Sequence, residues 1–165
     1  MNTALVSLTD FRYGYTRVPH NPLMDLSDSF SSIPFAEHLG IEVTRAEDGE
    51  AEGRLQMTDE ISSNPARHIA HGGATFALAD TVGGAALVSL VEAPTPTIDM
   101  RIDYLAPVTD DIEARAEVAR KGNTSAVVDI DVTQDGKDVA KVRGVYKIGL
   151  HGDSENHWDR GSHTP

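Results

Sequence analysis

The chain has 165 residues, enough for one domain with a hydrophobic core of its own. It has no cysteine, which excludes disulfides, thiolate nucleophiles and cysteine-ligated zinc. A formal net charge of −12 leaves no basic stripe, so no nucleic-acid partner is expected, and an anionic ligand must find local basic groups.

The first residues, Met1 to Val6, lack the basic start and long apolar core of a signal peptide, and a cytoplasmic location is expected. Residues 1–27 carry few periodic signals and several turn formers (Gly14, Pro19, Asn21, Pro22), and read as an N-terminal extension. Phe30 to Leu39 is predicted as a short helix, with Ser29 or Ser31 as cap and Gly40 as stop. From Ile41 the chain reads as strand, and Asp48-Gly49 is a hairpin turn. Beyond it Ala51, Gly53, Leu55 and Met57 alternate with polar residues.

A loop from Thr58 to Ala70 leads into a helix at about Gly73 to Val91, ended by Pro94 and Pro96. The helix is apolar nearly all round, so other structure should wrap it. Ile69 to Val91 is apolar enough to resemble a membrane span, but it holds Asp80, His71 and four glycines. An aspartate at mid-bilayer costs roughly 2.5–3.5 kcal/mol, so a buried core helix is expected, and no membrane partner.

Four strands with period-2 patterns follow. Ile98, Met100, Ile102 and Tyr104 face one way in the first. Ile112 to Val118, Ala126 to Val132 and Ala140 to Ile148 repeat the alternation. The turns at Lys121-Gly122-Asn123 and Asp135-Gly136 are tight, so the strands are antiparallel. The polar tail from His151 has almost no apolar residue beyond Trp158 and is expected to be disordered. The reading is one domain at 28–149 with a tail at 150–165. Its fold class is α+β: an antiparallel curved sheet wrapped around a central apolar helix. A partner chain is expected to cover part of it, because a lone sheet leaves exposed edges.

Chemistry concentrates at His71-Gly72-Gly73 and Asp80. The glycines leave bare amides at the positive end of the helix dipole, where a developing anion is stabilised. Asp80 sits in mid-helix, where a carboxylate must be paired or used. It reads as a reacting acid or as one half of a structural pair. Its helix neighbours Ala77, Gly83 and Gly84 are small, so a ligand or another backbone can approach closely. His71 reads first as a neutral imidazole fixing the glycine turn, and second as a base. His68, His71 and Asp80 form a conceivable metal set, but nothing fixes the direction of His68, and no metal is expected. Arg115, Arg120 and Lys121 are either solvated surface or contacts for a phosphate. There is no Gly-x-Ser-x-Gly elbow, phosphate loop or dinucleotide fingerprint.

The order of short helix, strands, Asn64 loop, His71-Gly72-Gly73, apolar helix with Ala79-Asp80, and Ile102-Asp103-Tyr104-Leu105-Ala106-Pro107 resembles the hotdog-fold acyl-CoA thioesterases of the phenylacetate-pathway (PaaI-like) type. The resemblance covers about Phe35 to Ile148. It implies hydrolysis of an acyl-CoA thioester to free acid and coenzyme A, with no cofactor, the coenzyme being part of the substrate. An enoyl-CoA hydratase or dehydratase and a catalytically silent acyl-CoA-binding protein are the alternatives.

By this resemblance the Gly72 amide polarises the thioester carbonyl. Asp80 acts as nucleophile or general base, Asn64 positions the acyl group or water, and Thr97 places a hydroxyl near the acid. Gly73, Arg120 and Lys121 are candidate contacts for the coenzyme A moiety. The chain departs from the pattern in carrying Arg67-His68 in the loop before His71, and Asn123 where relatives often have arginine or lysine. Gly72 and Asp80 are eight residues apart, about 12 Å along one helix at ~1.5 Å per residue. A base must come within ~3 Å of the group it serves, directly or through one water. The expected active unit is therefore a homodimer with two shared sites, paired further into a homotetramer.

Overall fold

The computed structural model describes residues 25–149. Two short helices, α1 (Leu26–Ser31) and α2 (Pro34–Leu39), precede strands β1 (Ile41–Glu47) and β2 (Glu50–Leu55). The one helix expected over 30–39 is thus two. Pro34 separates them: the residue before a proline is pushed out of the helical region, and Ile33 lies at φ −61°, ψ 127°. The domain start expected at 28 falls inside α1, whose cap is Asp25; the Ser27 amide donates to the Asp25 carboxylate at 3.4 Å. The residues read as a disordered tail, 150–165, lie outside the described residues, as do 1–24 of the extension.

The stretch read as a loop, 58–70, contains a small ladder of β3 (Ser62–Asn64) against β4 (Ile69–Ala70), with one 3-10 turn before β3 and another between the two strands. Then comes α3 (Gly72–Val91), the core helix. It ends as Glu92 turns left-handed (φ 51°), its amide donating to the Val88 carbonyl, two residues before Pro94. Strands β5 (Thr97–Tyr104), β6 (Ile112–Lys121), β7 (Ser125–Gln134) and β8 (Lys137–Lys147) complete the chain.

Six strands make one antiparallel sheet in the order β1-β2-β6-β7-β8-β5. Asp48-Gly49 and Asp135-Gly136 both hold positive φ at two successive residues, the turn geometry that matches the twist of paired strands. One sheet face packs on α3, with Leu55, Ile112, Val128, Ile130 and Val132 buried against Leu78, Val82 and Leu87. The other face carries charge in cross-strand pairs, such as Arg143–Asp129 at 2.6 Å and Arg54–Glu42 at 2.7 Å. The helix lies so close to the sheet that a Cβ at Gly53 would stand 2.6 Å from a Val82 methyl.

The edge strand β5 departs from the expected pattern. Its alternation predicts Ile98, Met100, Ile102 and Tyr104 on the buried face. Met100 and Ile102 are partly buried, but Ile98 is 59% exposed and Tyr104 53%. Beyond β5 no further strand pairs among the described residues.

Candidate active site

The site is organised by α3 and the edge strand beside it. At the start of α3, the His71 imidazole caps the helix: its Nδ1 accepts the Gly73 amide at 2.9 Å. The His71 carbonyl takes the Ala74 amide at 2.9 Å. Between them the Gly72 amide, at the first helical position, finds no acceptor among the described residues. It therefore remains available to an external oxygen at the positive end of the helix dipole. The Gly72 carbonyl accepts the Tyr104 hydroxyl at 2.8 Å. Tyr104 crowds this position, since a Cβ at Gly72 would lie 3.0 Å from its Cζ and hydroxyl oxygen and the ring would have to shift. Partial burial raises the pKa of the Tyr104 phenol, so it stays a neutral donor at ordinary pH. A cleft of about 410 Å³ opens beside Gly72, floored by Ile69, Tyr104, Leu105 and Val108.

Two turns and more along the same helix, Asp80 is half-buried and is the sole charged residue of α3. Thr97, the first residue of β5, donates its hydroxyl to Asp80 Oδ1 at 2.8 Å. The acid is thus held by a neutral hydroxyl and not by a cation, which leaves its charge free for other work. The small-residue face around Asp80 is filled in part by this same chain. Gly83 receives the hydroxyl of Tyr146 and the Ile130 side chain, and Gly84 faces Phe30.

β5 touches both halves. Tyr104 at its end meets Gly72, and Thr97 at its start meets Asp80. Thr97 and Tyr104 stand seven positions apart on the strand, and the two groups they hold, Asp80 and Gly72, lie about 12 Å apart along α3 at ~1.5 Å per residue. Within one protomer the Gly72 amide and the Asp80 carboxylate serve different ends of the strand.

The other candidates lie apart. Asn64 ends β3 and is exposed, with its amide bonded to the Ser62 hydroxyl at 3.1 Å. His68, left-handed at φ 50°, turns to Asp59, its Nδ1 3.3 Å from the carboxylate. That direction, with Nδ1 of His71 committed to an amide, separates the three residues of the conceivable metal set. No cluster of three or more His, Asp or Glu side chains able to hold a metal occurs among the described residues. Arg115 lies 3.6 Å from Glu50. Arg120 and Lys121 are exposed at the end of β6, and Lys121 pairs with Ala126, which pairs with Tyr146, which pairs with Thr97. Lys121 therefore shares a rung of the sheet with Thr97, three strands away, and Arg120 stands on the neighbouring rung. Two residues given no role of their own in the sequence, Tyr104 and Tyr146, touch the site. Tyr104 stood inside a motif, whereas Tyr146 looked like any inward position of an alternating strand.

Residues 68–141, which contain both His71-Gly72-Gly73 and Asp80, match the thioesterase superfamily. A protein of Halobacterium salinarum with a provisional esterase assignment is 34% identical over 122 residues, spanning 67% of this chain and 81% of its own. Among solved structures, a conserved protein of Pseudomonas aeruginosa aligns with a TM-score of 0.66 and 31% identity, over 72% of this chain and 96% of the other. The PaaI protein of the E. coli phenylacetic acid degradation operon aligns with a TM-score of 0.66 and 30% identity, over 73% and 88%. The chain belongs to the thioesterase superfamily and has the hotdog fold of its PaaI-like members. It is a hydrolase of the thioesterase or esterase class.

Proposed function

We propose that this protein hydrolyses acyl-CoA thioesters in the cytoplasm, without a cofactor, at sites shared between two copies of the chain. The observation that carries this reading is the pairing of an unsatisfied amide, Gly72, with a half-buried carboxylate held by a neutral hydroxyl, Asp80 on Thr97. The amide and helix dipole stabilise the oxyanion that forms when the thioester carbonyl is attacked. Asp80 delivers the attack by taking a proton from water, or directly, in which case water then cleaves the acyl–Asp80 anhydride to release the acid, and in both routes the C–S bond breaks and the thiolate of coenzyme A leaves. The second carboxylate oxygen carries no charge partner, so it is suited to the proton or the carbonyl carbon. His71 serves by fixing the turn that presents the amide. Asn64 positions acyl group or water, and Gly73, Arg120 and Lys121 meet the coenzyme.

The apolar cleft beside Gly72 suits the acyl chain, and the free edge of β5 suits a second protomer. Two antiparallel α3 helices then bring Gly72 of one beside Asp80 of the other, and pairs of dimers give the tetramer. Thiol release across a panel of acyl-CoAs tests the reading. The wild type should turn over at least one member, and Asp80→Asn should lose at least ~100-fold in kcat while keeping its fold. Equal turnover by a folded Asp80→Asn protein would remove Asp80 from the mechanism. Binding of every acyl-CoA without thiol release would favour the silent binder.

A further inference from the structure

Tyr146 is the one buried side chain among the described residues whose polar atom has no hydrogen-bond partner. It is 1% exposed, in the middle of an otherwise apolar core. Leaving a buried hydroxyl unsatisfied is destabilising, and a phenylalanine would fill the same space without that cost. The fold nevertheless cuts a slot for this group. A Cβ at Gly144 would lie 2.6 Å from the Tyr146 ring, and a Cβ at Gly83 would collide with its hydroxyl. Two glycines, one on β8 and one on α3, therefore admit the ring and let its oxygen reach the helix.

The place it reaches is one turn from Asp80. Gly83 follows Asp80 by three residues, so the two share a helix face. Tyr146 is also the cross-strand partner of Thr97, and directly opposed residues project to the same side of a sheet. Thr97 already donates to Asp80. Burial, and next the nearby charge of Asp80, push the Tyr146 pKa well above the usual phenol value, so the group stays protonated. No other charged residue stands on α3.

We propose that Tyr146 is a positioning residue for Asp80: from the dry side of the helix its hydroxyl donates to the carboxylate that Thr97 holds from the open side. The bond closes by rotation of the carboxylate about χ2, a torsion with broad wells. Two donors from one rung of the sheet then fix the plane of the acid. The proposal rests on Asp80 being the reacting carboxylate, but its first test does not require turnover.

The full-length protein is labelled with 13C at aspartate carboxyls and titrated by NMR, with the Asp80 signal assigned by its loss in Asp80→Asn. In Tyr146→Phe the Asp80 midpoint should move up by about half a pH unit or more, the scale of one lost donor. In the wild type labelled at tyrosine Cζ, the Tyr146 signal should report the same midpoint and lose that response in Asp80→Asn. This second measurement serves if Tyr146→Phe does not fold. An unmoved Asp80 midpoint in folded Tyr146→Phe, or a Tyr146 signal blind to Asp80, overturns the proposal. Turnover separates it from the functional reading. If the acid limb of kcat/KM moves with the NMR midpoint, both stand. If the midpoint moves in a protein that releases no thiol, Tyr146 still positions the acid and the thioesterase reading fails.

Discussion

At the residue scale, Tyr146 ties the acid to the core and also makes the protein sensitive to base. Its pKa is raised in the folded state, first by burial and then by Asp80, while the unfolded phenol titrates near ~10. A group with a raised folded pKa contributes its full stability below the unfolded pKa and loses it as pH rises beyond. The loss therefore begins at about pH 10 and continues upward. Chemical denaturation between pH 9 and 11 should show wild-type stability falling more steeply than that of Tyr146→Phe, by up to one proton in the slope. Parallel curves would mean that the phenol ionises as readily inside the core as outside. Asp80 was legible in the sequence because a lone charge in a mostly apolar helix of twenty residues is conspicuous. Tyr146 was not, because an inward tyrosine on an alternating strand is ordinary, and the slot needs two glycines from elements 61 positions apart.

At the scale of elements, the strands and α3 were legible because their periodicities are strong and Asp-Gly turns fix their joints. The ladder of β3 and β4 was not, since strands of three and two residues leave no period to read. Nor did β5's alternation tell which apolar residues are covered, because cover depends on what lies beyond the sheet edge. The seat of α3 on the sheet makes one position critical. Gly53 pairs with Val43 and Ala114 in the middle of β2, and an added methyl would meet a Val82 methyl at 2.6 Å and the Glu42 carbonyl at 2.9 Å. The backbone oxygen cannot swing aside as a side chain can. Gly53→Ala should destabilise by about 1–3 kcal/mol, the usual range for overpacking, and lower the thermal midpoint accordingly. Unchanged or raised stability would show that α3 rides freely over β2.

For the whole molecule, the separation of Gly72 from Asp80 along α3 gives a test of the proposed shared site. Gly72→Pro removes the amide hydrogen and crowds Tyr104; Asp80→Asn removes the base. In a heterodimer of the two, one site carries both lesions and the other carries neither. Purified heterodimer from co-expression should recover about half the wild-type rate, though each parent is inactive. A folded, isolated heterodimer as inactive as its parents would place both groups in one protomer. Gly72 and Asp80 were both legible in the sequence as residues of one motif, whereas the placement of the proposed second copy was not, because a single sequence does not state where another chain sits.

The open side of β5 also bears on the molecule before it is assembled. Unpaired amides and carbonyls along a strand are a template for any extended chain, and Ile98 and Leu105, 59% and 56% exposed, add apolar grip. Asp99, Arg101 and Asp103 alternate with them on the exposed outer face, with Arg101 and Asp103 paired at 2.8 Å. Such charges penalise mispairing with chains of the wrong pattern while sparing a partner that matches them. If the proposed dimer forms through this edge, the protomer not yet docked is the aggregation-prone species, and the edge sets how crowded its refolding can be.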